Sequence, residues 1–89
     1  PAADLGIVLA IASSYKNRPI AEDVIVFGEV GLSGEVRAVT MPEQRIAEAK
    51  KLGFKTCVIP EVSLKSVGEV EGVTIVGVKS VGEAISAGL

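Results

Sequence analysis

The sequence feature that most constrains the fold is the stretch GEVGLSGEVRAV at residues 28–39, which states a short pattern twice. Residues 28–30 are Gly-Glu-Val, and residues 34–36 repeat them after Gly-Leu-Ser. A phosphate-binding loop needs its glycines where a strand turns into a helix, whereas these glycines join two strand-like runs. The stretch therefore predicts a β-hairpin with glycines at positive φ, and not a nucleotide-binding loop.

Four apolar runs predict the strands of the chain: VIVFGEV from Val24, EVRAV, KTCVIP and VTIVGV. Hydrophobic residues make up 48% of the sequence but aromatic residues only 3%, so the core must consist of Val, Ile, Leu and Ala. Such residues pack well where helices cover a pleated sheet. A short helical turn is the only structure expected between the third and fourth runs, in EVSLKSVGEVEG.

The first 15 residues, PAADLGIVLAIASSY, predict a helix that begins with Pro1 and Asp4 in its first turn. At helical spacing, one apolar face would consist of Leu5, Val8, Leu9, Ala12 and Tyr15. Ile7 and Ile11 widen that face, so the helix is expected to be buried on two sides. Pro19 prevents it from continuing.

A middle helix is predicted after Thr40, because Thr40 and Glu43 have the spacing of a capping box and Pro42 suits the first turn. It should run to about Leu52 and stop at Gly53. Its expected apolar stripe consists of Ile46, Ala49 and Leu52.

A second capping box, Ser80 and Glu83, predicts a C-terminal helix that ends near Ala87. The predicted order is α-β-β-α-β-β-α, in one small domain over residues 1–89 of the α/β (α+β) class.

Composition removes several kinds of chemistry. The chain has no histidine and one cysteine, Cys57, so a zinc site is not expected and Cys57 should be a buried apolar residue. The net charge of −2 provides no global field for a polyanion, so nucleic acid would need a local basic patch. The longest apolar run, LGIVLAIA, is too short to span a bilayer, and we expect a cytoplasmic protein without membrane contact.

The run PAAD…NRP…GEVGLSGEVRAV…PEQRIAEAKKLGFKTCVIPE resembles the proteolytic domain of Lon proteases. It resembles more closely the Lon-like C-terminal domain of the RadA family of bacterial DNA repair proteins, and the resemblance covers essentially the whole chain. The resemblance implies a Lon-type fold, of which this chain would be the C-terminal part. A zinc motif and a RecA-like ATPase are expected upstream, so ATP, Mg and Zn would bind there and no cofactor is expected in these 89 residues.

Lon proteases use a serine nucleophile and a lysine base. The resemblance aligns the serine position with Ala2 and the lysine position with Arg45. Alanine has no nucleophile and arginine stays protonated, so the resemblance implies a module that is not an enzyme. An active Ser–Lys peptidase using Ser13, Ser14 or Ser33 is a remote alternative.

The RadA resemblance implies a ring-forming platform, in a hexamer of the parent protein, that acts on recombination intermediates during branch migration. The implied partners are other copies of the protein, single-stranded or branched DNA, and a recombinase. Candidate DNA contacts are Lys16, Arg18, Arg45, Lys50 and Lys51. The alternative is a protein-interaction scaffold that does not touch DNA, because Lys50 and Lys51 would also suit the C-terminal end of a helix dipole.

Overall fold

The fold is described here from a computed structural model, which defines residues 3–4, 6, 11, 13–15, 17, 23–68 and 70–88. The strands are β1 (Ala3–Asp4), β2 (Val24–Val26), β3 (Glu29–Val30), β4 (Val36–Arg37), β5 (Thr56–Pro60) and β6 (Thr74–Val78). Two helices have both ends within the described residues, α1 (Pro42–Lys51) and α2 (Val81–Gly88), and residues Glu61–Ser66 form a 3₁₀ segment. The α/β class predicted from the sequence is confirmed.

The strands form two sheets of three. One sheet is parallel, in the order β2-β5-β6, and the other is antiparallel, in the order β1-β3-β4. The two sheets meet after β6, where the Val36 N–H donates to the Lys79 carbonyl at 2.9 Å and Glu35 forms a bridge with Ser80. The hairpin is thereby attached to the parallel sheet.

The parallel sheet is covered on both faces, as is typical of parallel strands. Val58 and Val78 point into a cluster with the hairpin valines and Ala84 of α2. Cys57 and Ile59, on the opposite face of β5, pack with residues of α1. The prediction that Cys57 is buried is confirmed, and this burial raises the pKa of its thiol.

The predicted hairpin is confirmed. β3 and β4 pair antiparallel, and the Gly34 N–H donates to the Gly31 carbonyl at 3.1 Å across the turn. Gly34 has a φ of 80° and Gly28 a φ of 149°, values that L side chains rarely adopt.

The prediction that VIVFGEV is one strand is wrong. The run divides at Phe27 and Gly28 into β2, which belongs to the parallel sheet, and β3, which belongs to the antiparallel sheet. The positive φ of Gly28 allows the chain to change direction between the two.

The predicted first helix is partly correct. Gly6, Ile11 and residues 13–15 are helical, but Ala3–Asp4 is a strand paired with β3, so the predicted element order lacked a strand. The cross-strand hydrogen bonds of β1 outweigh the helix-start signals of Pro1 and Asp4. Ile11 and Tyr15 are 65% and 86% exposed, contrary to the prediction of burial on two sides. The other residues predicted for that face, Leu5, Ile7, Val8, Leu9 and Ala12, lie outside the described residues.

The α1 helix begins without the predicted capping box. Met41 is its N-cap, with a left-handed φ of 52°, and no side chain caps the first turn. This backbone turn takes Thr40 out of the N-cap position. The predicted stop is confirmed, because Gly53 has a φ of 94° after the C-cap residue Leu52.

The apolar stripe of α1 is shorter than predicted. Ile46 and Ala49 are each 1% exposed, but Leu52 is 67% exposed. Leu52 lies where the helix ends and the chain turns, and Phe54 packs against the core instead.

The C-terminal helix carries its predicted cap. The Glu83 N–H donates to Ser80 Oγ at 3.2 Å, and Glu83 Oε1 accepts from the Lys79 N–H at 3.3 Å. The predicted helical turn between β5 and β6 is also confirmed, as the 3₁₀ segment.

Candidate functional site

Arg45, which the resemblance to Lon proteases aligns with the catalytic lysine, lines a cleft of about 250 Å³. The cleft opens at the end of β2, where the chain turns at Gly28 towards the antiparallel sheet. The start of α1 and the connection before it form the opposite wall. The lining residues are Asp4, Val26, Phe27, Gly28, Glu29, Ala38, Val39, Thr40 and Arg45.

The side chain of Arg45 is held by two contacts. Its Nε donates to the Thr40 carbonyl at 2.9 Å, and its guanidinium carbon lies 5.9 Å from the centroid of the Phe27 ring. The second distance is within the range of a cation–π interaction. This hydrogen bond joins the first turns of α1 to the residue just before its N-cap.

A guanidinium cannot act as a base at any working pH, but it can donate hydrogen bonds to an anion. The contact with Thr40 uses Nε, whereas the two terminal nitrogens are the donors that usually bind a carboxylate or phosphate in pairs. The arrangement can therefore hold an anionic group and cannot accept a proton from a nucleophile.

Two carboxylates share the cleft with Arg45. Asp4 and Glu29 are direct partners across β1 and β3, and Glu29 is in turn the partner of Arg37 across β3 and β4. Opposite residues in antiparallel strands have their Cβ atoms about 4.5–5.5 Å apart. The two acids therefore lower the positive potential that Arg45 would otherwise present. Sequence reasoning missed both acids, because their pairing depends on β1, which was not predicted.

Ala2, which the resemblance aligns with the serine nucleophile, lies outside the described residues. Asp4, two residues further along the chain, lines the cleft. The structure thus places Arg45 next to the segment that follows Ala2.

The other candidate DNA contacts do not gather around Arg45. Lys16 and Arg18 lie outside the described residues. Lys50 and Lys51 are exposed in the last turn of α1, and helical geometry rotates them by about 140° and 240° from Arg45. Lys50 extends over the turn at Gly72, with its Cε 3.7 Å from the place that a Cβ on Gly72 would occupy. The cations of α1 therefore point in different directions.

Ser33, named in the peptidase alternative, lies at the exposed tip of the hairpin. Its N–H donates to Glu35 Oε1 at 3.0 Å, which fixes the turn. Ser14 is exposed and helical, and Ser13 is helical and half-buried. Within the described part of the chain, no group of three or more Cys, Asp or Glu residues is arranged to hold a metal ion.

The fold and the cleft together define a small α/β module, with a parallel sheet, an attached hairpin and an arginine in the cleft between them. Comparison with known proteins shows the family of this module. A family model described as subunit ChlI of Mg-chelatase matches residues 1–63. That match covers more than half of the 89 residues, so the chain belongs to this family.

The chain is also similar to curated DNA repair proteins. It is 46% identical over 87 residues to the DNA repair protein RadA of Streptococcus pyogenes serotype M1, an alignment that covers 98% of this chain and 19% of the relative. It is 46% identical over 89 residues to RadA of Bacillus subtilis, covering 100% of this chain and 19% of the relative. For RadA of Escherichia coli the identity is 44% over 84 residues, covering 94% of this chain and 18% of the relative.

The resemblance to RadA proteins predicted from the sequence is thus confirmed. The chain spans about a fifth of the length of the curated relatives it matches. In the described part of the chain, no helix is both long and apolar enough to cross a membrane.

Proposed function

We propose that this chain is the non-catalytic, Lon-like module of a RadA-type DNA repair ATPase. It acts as a platform for the oligomeric ring and as a DNA-contact surface during the processing and branch migration of recombination intermediates. The similarity to RadA proteins over nearly the whole chain supports the repair role. The observation that carries the proposal is the placement of Arg45, which the Lon resemblance aligns with the peptidase lysine, in a cleft where its Nε donates to the Thr40 carbonyl.

Two facts support the absence of peptidase chemistry. Ala2 provides no hydroxyl or thiol at the nucleophile position. Arg45 is permanently protonated and donates from Nε to Thr40, so it has no lone pair with which to activate a serine.

The peptidase alternative is tested by restoring the dyad in steps and measuring cleavage of a fluorogenic peptide. Ala2→Ser alone should remain inactive, because Arg45 cannot accept the proton. Activity of that single variant would contradict the assignment of Arg45 to the base position. The double variant with Arg45→Lys need not be active, because the donors for an oxyanion must also be in place.

DNA contact would use the cations Lys16, Arg18, Arg45, Lys50 and Lys51. Among the described ones, Arg45, Lys50 and Lys51 all have exposed side chains. Their divergent directions fit separate contacts to a flexible single strand better than one contact patch on a rigid duplex. Phosphate contacts of this kind make affinity fall steeply with salt.

A scaffold without DNA contact is the second candidate, and one observation favours it. A groove of about 800 Å³ lies beside β6 and the 3₁₀ segment, and half-buried aliphatic side chains contribute much of its lining, which consists of Leu64, Val67, Gly68, Val70, Glu71, Val73 and Ile75. Grooves with aliphatic walls and a polar edge can receive a side chain of a partner protein. Such a groove is also compatible with a ring contact, so both candidates share it.

A salt series distinguishes the two candidates. Binding of a labelled single-stranded oligonucleotide by the natural full-length protein, without nucleotide, would be measured from 50 mM to 300 mM salt, a range over which the Debye length falls from about 14 Å to about 6 Å. A steep fall in affinity supports DNA contact, whereas no binding at low salt supports the scaffold.

The remaining parts of the proposal concern the whole protein. A RadA-type parent would bind ATP, Mg and Zn in upstream domains, form a hexameric ring in the cytoplasm, and meet a recombinase on DNA. The chain itself has one cysteine and no histidine, which does not fit a zinc site within it.

A further inference from the structure

A second basic cleft lies away from Arg45, between the 3₁₀ segment and the residue that follows β6. It has a volume of about 370 Å³ and is lined by Glu61, Val62, Lys65 and Lys79. Neither of its lysines was among the DNA contacts predicted from the sequence, because they are 14 positions apart and lie in different elements.

We propose that Lys65 and Lys79 together form a phosphate-contact site for single-stranded DNA. This inference rests on the proposed function, since it names a second place where the same DNA meets the module. The cleft has no aromatic residue in its lining, so the contact is to the backbone and carries no base preference.

The main chain on both sides of the cleft is fixed. Ser63, in the middle of the 3₁₀ segment, is 3% exposed and its Oγ accepts from the Val39 N–H at 3.3 Å. Lys79 accepts from the Val36 N–H through its carbonyl, at 2.9 Å, and donates its own N–H to Glu83. Both lysines therefore line the cleft from anchored stretches of main chain.

The close fit of the 3₁₀ segment on β6 adds to this rigidity. A Cβ on Gly77 would lie 2.5 Å from Leu64 Cδ1 and 3.3 Å from the Glu61 Cα. A larger residue here would push the Leu64 side chain aside and crowd the Glu61 backbone, so the glycine favours this close packing. The spacing between Lys65 and Lys79 is thus set by packing and not by the lysines themselves.

The net charge of its lining distinguishes this cleft from the surroundings of Arg37 and Arg45. Arg37 is 3.7 Å from Glu35 and is the cross-strand partner of Glu29. Arg45 shares its cleft with Asp4 and Glu29. In contrast, the lining of the second cleft contains two lysines and a single acid, so it has a net positive charge.

That single acid, Glu61, is a competitor for the phosphate. Its Oε1 lies 3.8 Å from Lys79 Nζ, and the two side chains are 45% and 69% exposed. An ion pair this exposed is weak, so a phosphate can displace it at little cost. Removing the carboxylate should leave Lys79 more available to DNA.

The test uses the natural full-length protein and a fluorescein-labelled oligo-dT, with binding followed by fluorescence anisotropy across a salt series. Three variants are compared with the wild type: Lys65→Gln with Lys79→Gln, Glu61→Gln alone, and Lys55→Gln as a control. The control removes an exposed lysine just before β5, outside the cleft. Circular dichroism verifies that each variant is folded.

The double lysine variant should lower the slope of log affinity against log salt by about 1.4, since each phosphate contact to a single strand contributes about 0.7. At 0.1 M salt that corresponds to an affinity loss of about 25-fold. Glu61→Gln should bind about twofold more tightly than the wild type, in the opposite direction from any loss of folding. Lys55→Gln should show at most a small loss.

The inference is overturned if the double variant keeps the wild-type affinity and slope while the wild type binds DNA with a clear salt dependence; the proposed function then stands without this site. It is also overturned if Lys55→Gln weakens binding as much, or if Glu61→Gln does not tighten binding. If the wild type does not bind the oligonucleotide at low salt, the DNA contact of the proposed function fails as well.

Discussion

Few buried side chains attach α1 to the sheet, so truncating one of them should lower the free energy of unfolding measurably. Ile46 is 1% exposed and packs with Cys57 and Ile59 of β5. Ile46→Ala removes the equivalent of three methylene groups, at about 0.8 kcal/mol each, or about 2.4 kcal/mol. The cavity left behind adds to this, so we expect a loss of about 3 kcal/mol in the free energy of unfolding.

The matched control is Leu52→Ala. A regular helical stripe predicts that Leu52 is buried beside Ile46, whereas the structure leaves it 67% exposed. Truncating an exposed side chain usually changes the free energy of unfolding by less than about 0.5 kcal/mol. The two substitutions remove the same number of carbon atoms, so the difference between them measures burial.

Urea unfolding of the 89-residue chain, followed by far-ultraviolet circular dichroism, measures both costs. With a slope of about 1–1.5 kcal/mol per molar urea, Ile46→Ala should lower the midpoint by about 2–3 M, and Leu52→Ala by less than about 0.5 M. Equal losses for the two variants would refute the placement of Leu52 at the exposed end of α1.

Three further predictions concern the hairpin and the last helix. Gly34→Ala should cost about 1–2 kcal/mol in urea unfolding, because its φ is 80° while the space around its Cα is open, so the penalty is backbone strain alone. Backbone hydrogen bonds from the N–H groups of Glu35 itself and Ser33, with a smaller contribution from the nearby arginine, hold the pKa of Glu35 below its ordinary value. The stabilisation from this carboxylate is therefore present above about pH 4.3 and is lost as the pH falls through the lowered pKa, so the protection factor of the Ser33 amide in hydrogen exchange should fall there in the wild type and not in Glu35→Gln. Ser80→Ala should destabilise the chain by about 1 kcal/mol in the same unfolding assay, because it removes the acceptor of the Glu83 N–H, whereas Ser86→Ala should have a smaller effect.

The sequence was informative where structure depends on neighbouring residues. The stop of α1 at Gly53, the cap at Ser80 and the turn ending at Gly34 follow from backbone preferences within a few positions. The buried strand β5 was also predictable, because a continuous apolar run of that length suits a sheet covered on both faces.

The parts that could not be predicted depend on distant partners. β1 consists of two residues and exists through its pairing with β3, about 26 positions away along the chain, so no local pattern indicates it. The same pairing places Asp4 and Glu29 side by side in the Arg45 cleft. The left-handed turn at Met41 was likewise hidden, because Thr40 and Glu43 have the spacing of a capping box that the backbone does not form.

The candidate site also combines a residue that the sequence identifies with neighbours that only the folded chain brings together. The resemblance to Lon proteases identified Arg45, but only the folded chain brings it to Phe27 and to the two acids. Lys65 and Lys79 come together through the packing of the 3₁₀ segment on β6, which no spacing in the sequence indicates. The importance of Arg45 could therefore be predicted from the sequence, whereas the net charge of each cleft could not.

The most direct test of the account changes Lys16, Arg18, Arg45, Lys50 and Lys51 to alanine together in the natural full-length protein. Ring assembly would be followed by light scattering, and single-stranded DNA binding across a salt series. The account predicts that rings persist while DNA affinity and its salt slope both fall. Rings that persist with unchanged DNA affinity and slope would contradict the DNA contact assigned to these residues.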